Sequence, residues 1–202
     1  LYVREAGGIL DDFTDIFLTD EEALHPDASN SDISDLLRQG QEALVQVVKD
    51  PIGTKGARLT TQITIPSRYL VLLPNSRNIG ISTRIEDAAE RDRLKASMEA
   101  LRGEDSHGYI LRTAAEGVSE KEMEHDVAFL KRLWNKICER EHSAKPGTCV
   151  YTDLALAKRT LRDLVDEQCE RVLVDSRVTF ADLKDFTDSY VPEMSERMQQ
   201  YT

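Results

Sequence analysis

The sequence has few of the residues from which disulfide scaffolds, membrane spans and polyanion-binding surfaces are built. Its three cysteines, Cys138, Cys149 and Cys169, are odd in number and widely spaced, which argues against a secreted disulfide framework and for a reducing cytoplasm. No apolar run is long enough to cross a bilayer, so we expect no membrane partner. Acids outnumber bases by 37 to 26, and this excess excludes a protein that binds polyanions over its whole surface.

The bases that are present are unevenly distributed. Residues 49–84 contain six bases and one acid, whereas residues 1–48 contain eleven acids and two bases. A basic segment in an acidic protein is compatible with nucleic-acid binding, because phosphate contacts are local and the acidic remainder limits non-specific binding. Pairing of these bases with the acidic segments is the alternative, and charge alone does not separate the two.

Strand-like and helix-like patterns alternate along the chain and predict an α+β or α/β protein. Strands are predicted over residues 43–49, 57–65, 69–73, 79–82, 109–111, 149–151 and 171–175. Helices are predicted over residues 85–103, 120–141 and 154–165, and around Phe180 to Phe186. No further element is predicted after this last helix.

The stretch from Tyr109 to Ser119 joins a predicted buried strand to a helix. Arg112 and Thr113 follow the apolar residues directly, and Ser119 with Glu122 has the spacing of a capping box. A guanidinium fork beside a hydroxyl suits a phosphate, because the fork offers several donors and the hydroxyl one more. The alternative is a surface arginine at a strand end, paired with a carboxylate.

A turn that contains glycine and lysine, residues 50–56, lies between two predicted strands. It lacks the spacing of a nucleotide-triphosphate loop and does not lead into a helix, so we reject such a site. A lysine in this position, Lys55, fits the rim of a nucleic-acid-binding barrel. No nucleophile motif and no closely spaced cysteine pair occurs, so the sequence predicts a binding surface without a catalytic centre or a bound metal.

These motifs are similar to those of the ribonuclease E/G endoribonucleases, and to the ribonuclease G branch in particular. The matching stretches begin near Ile33 and follow the family's order. They are GQEALVQVVKDPIGTKGARLTTQITIPSRYLVLLPN (40–75), RIED (84–87), YILRTAAEGVSEKE (109–122), LKRLWNKICER (130–140), LALAKRTLRDL (154–164), VDSRVTF (174–180) and YVPEMSERMQQYT (190–202).

The resemblance implies a multidomain α+β or α/β architecture. Residues 1–12 correspond to the opening strands of an RNase H-like domain, and residues 13–61 to a truncated OB-fold RNA-binding barrel. Residues 62–157 correspond to an α/β 5′ sensor domain, and residues 158–202 to the start of the resumed RNase H-like domain. The family's catalytic carboxylates, which hold Mg²⁺, and its zinc-link cysteines are expected beyond Thr202, so this chain alone is expected to be inactive.

The resemblance also assigns roles to individual residues. The family's phosphate-binding arginine and threonine fall on Arg112 and Thr113, and a backbone contact with the same 5′ phosphate falls on Val71. The RNA-contacting barrel lysine falls on Lys55, with Lys49 nearby.

Two family positions are substituted in this sequence. A sensor glycine of the ribonuclease E branch is Ser67 here, and an arginine before the RIE motif is Thr83. We expect Arg84 to compensate for that arginine. Arg58, in the basic segment, is a further candidate for RNA binding.

The expected function is the RNA-binding part of an endoribonuclease that cleaves single-stranded RNA in rRNA and mRNA processing and decay, after sensing its 5′ monophosphate. The parent protein is expected to be a cytoplasmic homodimer or higher homo-oligomer. The alternative is a non-catalytic RNA-binding or assembly fragment with a degenerate 5′ sensor, whose binding depends on salt but not on the RNA end.

Overall fold

The computed structural model describes residues 38–165 and 169–201. The predictions for residues 1–37, including the opening strands at 1–12, lie outside this range. The chain divides into two compact units between Glu124 and His125. Both units combine helices with small sheets, which confirms the mixed α and β class, while the predicted domain boundaries remain predictions.

An antiparallel hairpin is the first described element of the first unit. It consists of β1 (Gln46–Lys49) and β2 (Arg58–Thr60). Reciprocal backbone hydrogen bonds of 3.0 and 3.2 Å between Ile52 and Lys55 close the turn. Gly53 at its tip has a φ of 59°, a left-handed conformation that glycine adopts without steric cost. The predicted strand–turn–strand unit is confirmed, but its second strand ends at Thr60 rather than at residue 65.

A four-stranded sheet forms the core of the first unit. Its strands are β3 (Ile65–Pro66), β4 (Leu70–Leu73), β5 (Ile79–Ile81) and β6 (Gly108–Leu111), in the order β3-β4-β6-β5. β6 is antiparallel to β4 and parallel to β5. Every residue of β4 and β6 is buried, as expected for continuous apolar strands that are covered on both faces.

Helix α1 (Ala88–Arg102) connects β5 to β6. Asp87 caps it by accepting a hydrogen bond from the Ala89 N–H, as short acidic side chains do at helix starts. Leu94 and Met98 of this helix are fully buried, so its apolar face is part of the core.

Helix α2 (Glu120–Ser143) begins in the first unit and continues into the second. The Glu122 side chain accepts a hydrogen bond from the Ser119 N–H at 3.1 Å, and the Glu122 N–H donates to the Ser119 hydroxyl at 3.3 Å. This reciprocal pair is the predicted capping box. It defines where the loop after β6 ends.

Among its described residues, the second unit contains the rest of α2 and five further elements. They are α3 (Leu156–Leu164), β7 (Val172–Val174), α4 (Arg177–Tyr190), α5 (Pro192–Ser195) and β8 (Met198–Gln200). The rings of Phe129, Phe186 and Tyr190 pack against one another with centroid distances of 5.2 to 6.4 Å. None of the described helices is both long enough and apolar enough to cross a membrane.

Two predictions for the second unit are wrong. No strand forms at residues 149–151, where the Val150 carbonyl accepts a hydrogen bond from Arg140 instead. A strand does form at Met198–Gln200, which pairs in parallel with β7, although no element was expected there. Both errors have one cause: a short segment becomes a strand only when another strand lies beside it, whatever its own propensity.

We expect Gly108→Ala to lower the free energy of unfolding by about 1–3 kcal/mol. A Cβ at this position would lie 2.7 Å from the carbonyl oxygen of Asn78 and 3.1 Å from its nitrogen, so backbone atoms must move. Gly56→Ala is the matched control, because nothing lies within 4 Å of its Cβ. Urea unfolding measures both variants, and equal stability would contradict the close approach of β6 to Asn78.

Candidate functional site

The parallel strands β5 and β6 terminate at the same end of the sheet. Ile81 lies beside Leu111 in their register, and the N–H of Ser82 donates to the Leu111 carbonyl at 2.9 Å. The antiparallel strand β4 begins at this end, after a turn over residues 67–69. We call this region the Arg112 end of the sheet. It comprises the 67–69 turn, Ser82, Arg112 and Thr113.

Backbone carbonyls of the 67–69 turn hold Arg112 in place. Its N–H donates to the Tyr69 carbonyl at 2.8 Å, and its Nη1 donates to the carbonyls of Ser67 at 2.6 Å and Arg68 at 3.3 Å. A guanidinium has five N–H groups. The side-chain contacts use the two on Nη1, which leaves one on Nε and two on Nη2. Among the described residues, Nε and Nη2 have no hydrogen-bond partner and no carboxylate pairs with Arg112. The ion pair that was the alternative for this arginine is therefore not formed within that part of the chain.

Thr113 lies next to Arg112 and is exposed. It begins a single 3₁₀ turn, Thr113–Ala115, and its Oγ1 lies 3.0 Å from the Oγ of Ser82. The N–H of Arg84 donates to the same Ser82 hydroxyl at 3.4 Å. The structure thus brings the predicted residues Arg112 and Thr113 together with the backbone of Arg84, through a serine that the sequence reasoning missed.

Ser67 and Thr83, the two substituted family positions, differ in their surroundings. Ser67 is fully buried, and its hydroxyl donates to the Leu70 carbonyl at 2.9 Å within its own turn. The turn therefore accommodates the hydroxyl of Ser67, which stands where the resemblance places a glycine of the ribonuclease E branch. Thr83 is exposed.

Val71 lies inside the sheet, one residue beyond the start of β4. Its register partners are Pro66 on one side and Ile110 on the other, and its side chain is 1% exposed. It forms an apolar cluster with Leu73 and Ile110. The predicted backbone contact of Val71 with a phosphate remains a prediction.

The lysines predicted to bind RNA lie on the β1–β2 hairpin. Lys49 and Lys55 are both exposed, and neither has an ion-pair partner among residues 38–165 and 169–201. Ten of the eleven acids of residues 1–48 lie at residues 1–37, outside the described range, so pairing of these lysines with that acidic segment stays an alternative. Arg58 belongs to β2 and is partly buried.

The 67–69 turn is also joined to the start of α2. The Tyr69 hydroxyl donates to Glu122 at 3.2 Å, and the guanidinium of Arg68 lies 4.9 Å from the centre of the Tyr69 ring. Hydrogen bonds from the hydroxyl and N–H of Ser119, and then from Tyr69, lower the pKa of Glu122. Sequence patterns could not reveal this contact, because Tyr69 and Glu122 are 53 residues apart.

The loop after the 3₁₀ turn is held by helix α1. Glu90 accepts two hydrogen bonds of 2.7 Å from Arg93 and one of 2.8 Å from the N–H of Gly117. Arg93 also donates to the Val118 carbonyl at 3.1 Å. We call this set of contacts the Glu90 tether. Arg112 and Thr113 are therefore fixed on one side by β6 and on the other by the tether.

Comparison with known proteins finds a family model and relatives that match most of this chain. Residues 64–202 match a family model described as the ribonuclease E/G family. The chain is 52% identical to ribonuclease G of Escherichia coli over 171 residues, which are 85% of this chain and 35% of that protein.

Two further relatives extend the comparison. The chain is 48% identical to ribonuclease G of Haemophilus influenzae, over 84% of this chain and 34% of that protein. It is 35% identical to ribonuclease E of a Nostoc species, over 87% of this chain and 25% of that protein. The chain thus spans about a third of the length of the ribonuclease G relatives.

We expect the carboxyl group of Glu90 to titrate at about 2 instead of the ordinary 4.5, because the hydrogen bonds from Arg93 and then from Gly117 favour its ionised form. The stability that the tether contributes is then fully present above pH 4.5 and is lost as the pH falls through about 2. NMR titration of the side-chain carboxyl measures this pKa.

Arg93→Gln should move the pKa of Glu90 back toward 4.5, because it removes the largest cause of the shift. Lys95→Gln is the matched control, since it removes a positive charge from the same helix at an exposed position. A pKa of Glu90 that is the same in wild type and Arg93→Gln would contradict the tether.

Proposed function

The chain belongs to the ribonuclease E/G family, and we propose that it is the part of a ribonuclease G-like endoribonuclease that binds single-stranded RNA and senses its 5′ monophosphate. The observation that supports this most is the state of Arg112. Backbone carbonyls anchor its guanidinium, yet three of its N–H groups have no partner among the described residues. The next residue in the chain, Thr113, is exposed and adds a hydroxyl group.

The donors at the Arg112 end suit the chemistry of an RNA 5′ monophosphate. A phosphate monoester has about −1.5 to −2 charges near neutral pH and three strong acceptor oxygens, whereas a 5′-hydroxyl end has no such charge. Hydrogen bonds from a guanidinium to phosphate are roughly twice as strong as neutral ones. Because Arg112 is already anchored, less side-chain freedom is lost when the phosphate binds.

The β1–β2 hairpin is proposed to contact the RNA chain away from its 5′ end. Exposed lysines attract phosphates without reading the sequence. Lys49 and Lys55 fit this role, because both are exposed and neither has an ion-pair partner among the described residues. Arg58 and Arg84 are proposed as further RNA contacts, and Val71 as a backbone contact of the 5′ phosphate. The family resemblance supports these assignments.

The finer architecture and the properties of the parent protein are also proposals from the family resemblance. They comprise the OB-fold barrel, the RNase H-like domain, endonucleolytic hydrolysis in RNA processing and decay, Mg²⁺ and zinc as metals, homo-oligomer formation and a cytoplasmic location. In the described residues, no three histidine, cysteine, aspartate or glutamate side chains form a group that could hold a metal ion. We therefore assign no step of the function to a metal held by those residues.

We expect the wild-type chain to bind a 5′-monophosphorylated oligoribonucleotide more tightly than the 5′-hydroxyl oligomer of the same sequence. Arg112→Ala should reduce this preference by about tenfold to a hundredfold, since it removes a charged hydrogen-bond donor. Arg112→Lys should restore only part of it, because lysine keeps the charge but not the planar fork. Fluorescence anisotropy with both oligomers measures the ratio.

Lys95→Ala is the control for the loss of one positive charge, and its preference should equal that of the wild type. Equal binding of both RNA ends by the wild-type chain would refute the sensor proposal. The alternative, an RNA-binding fragment with a degenerate sensor, predicts equal binding of both RNA ends together with an affinity that still falls as the salt concentration rises.

Lys49→Ala and Lys55→Ala should weaken the binding of both oligomers by the same factor and leave the end preference unchanged. Each variant should also reduce the slope of log K against log salt by about 0.7, because one fewer counterion is released from single-stranded RNA. Titrations at several salt concentrations measure the slope. An unchanged slope would show that the hairpin lysines do not contact the RNA.

A further inference from the structure

Ser82 is a buried serine at the Arg112 end, with an exposure of 3%. We propose that Ser82 is a positioning residue: its hydroxyl donates to Thr113 and thereby turns the Thr113 O–H outward, toward an RNA 5′ phosphate. This inference rests on the proposed function and adds the residue that makes Thr113 a donor.

The backbone of Ser82 is fixed on both sides. Its N–H donates to the Leu111 carbonyl at 2.9 Å. Its carbonyl accepts hydrogen bonds from Arg91 Nη1 at 2.8 Å and from the Ile85 N–H at 3.2 Å. The hydroxyl of Ser82 is therefore placed by β6, by helix α1 and by its own turn.

The partners of the Ser82 hydroxyl determine the direction of its hydrogen bond with Thr113. Within the described part of the chain, this oxygen has two partners, Thr113 Oγ1 at 3.0 Å and the N–H of Arg84 at 3.4 Å. A backbone N–H can only donate, so Thr113 is the one acceptor available to the Ser82 O–H. The opposite direction would leave a buried hydroxyl proton without an acceptor, which costs about 1–3 kcal/mol of desolvation.

Thr113 does not have the same constraint, because its side chain is exposed. When its oxygen accepts from Ser82, its own O–H is available to water or to a ligand. A phosphate oxygen is a hydrogen-bond acceptor, so an outward O–H is the orientation that binding requires. The hydrogen bonds then form a chain: the Arg84 N–H donates to Ser82, Ser82 donates to Thr113, and Thr113 donates to the phosphate. Hydrogen bonds that follow one another in the same direction strengthen each other.

The test compares the full chain with its Ser82→Ala, Thr113→Val and doubly substituted variants. Each is titrated with 5′-monophosphorylated and 5′-hydroxyl oligoribonucleotides of one sequence. Ser82→Ala should reduce the monophosphate preference about fivefold, and the double variant should lose no more than Thr113→Val alone. The ratio of the two affinities is the readout, because a general loss of folded protein lowers both affinities together.

Ser97→Ala is the matched control. Ser97 is also a buried serine of the first unit, with 5% exposure, and its hydroxyl donates to Glu120 instead. Its ratio should equal that of the wild type. If Ser82→Ala does not fold, Ser82→Cys takes its place, because a thiol has similar volume but is a weak donor.

The outcomes separate the two proposals. No end preference in the wild type refutes the proposed function itself. Two results would overturn the role of Ser82 alone. In the first, Thr113→Val lowers the monophosphate preference of the wild type and the Ser82 variant does not. In the second, the losses of preference in the two single variants add up in the double variant. The role of Ser82 is supported if Ser82→Ala lowers the monophosphate preference and the double variant loses no more preference than Thr113→Val alone.

Discussion

The contact between the Arg112 guanidinium and the backbone carbonyls of Ser67 and Arg68 is the interaction on which the candidate site depends. A charged side chain at the end of a buried sheet needs acceptors, because a desolvated charge without partners is costly. A carboxylate would meet that need but would also neutralise the charge. Backbone carbonyls meet it and leave the positive charge available to an anion.

The pairing of β4 with β6 makes this contact possible. It aligns Leu70 with Leu111, so the turn before β4 lies beside the residue after β6. Both strands are buried throughout, and a shift by one residue would exchange side chains of different size between two close-packed faces, which costs stability. The core therefore sets the register, and the register brings Arg112 to the 67–69 turn.

The carboxylates near this region organise the surrounding backbone. Glu90 binds the loop at Gly117, and Glu122 binds Ser119 and Tyr69. Each keeps a segment next to Arg112 or Thr113 in a defined position before any ligand arrives. This arrangement lowers the ordering cost of binding, which is the usual benefit of a preorganised site.

The sequence by itself determined the local features of this protein. The continuous apolar runs predicted strands β4 and β6, the Ser119–Glu122 spacing predicted the capping box, and Arg112 with Thr113 stood out as phosphate donors at a strand end. The strands and the capping box are confirmed, because each depends on neighbours within a few residues, whereas phosphate binding by Arg112 and Thr113 remains a proposal. Tertiary structure decided the contacts that depend on distant residues. It selected the strand at 198–200 over the one expected at 149–151, and it brought Ser82 to Thr113 and Tyr69 to Glu122, since strand pairing and burial join residues that no local pattern connects.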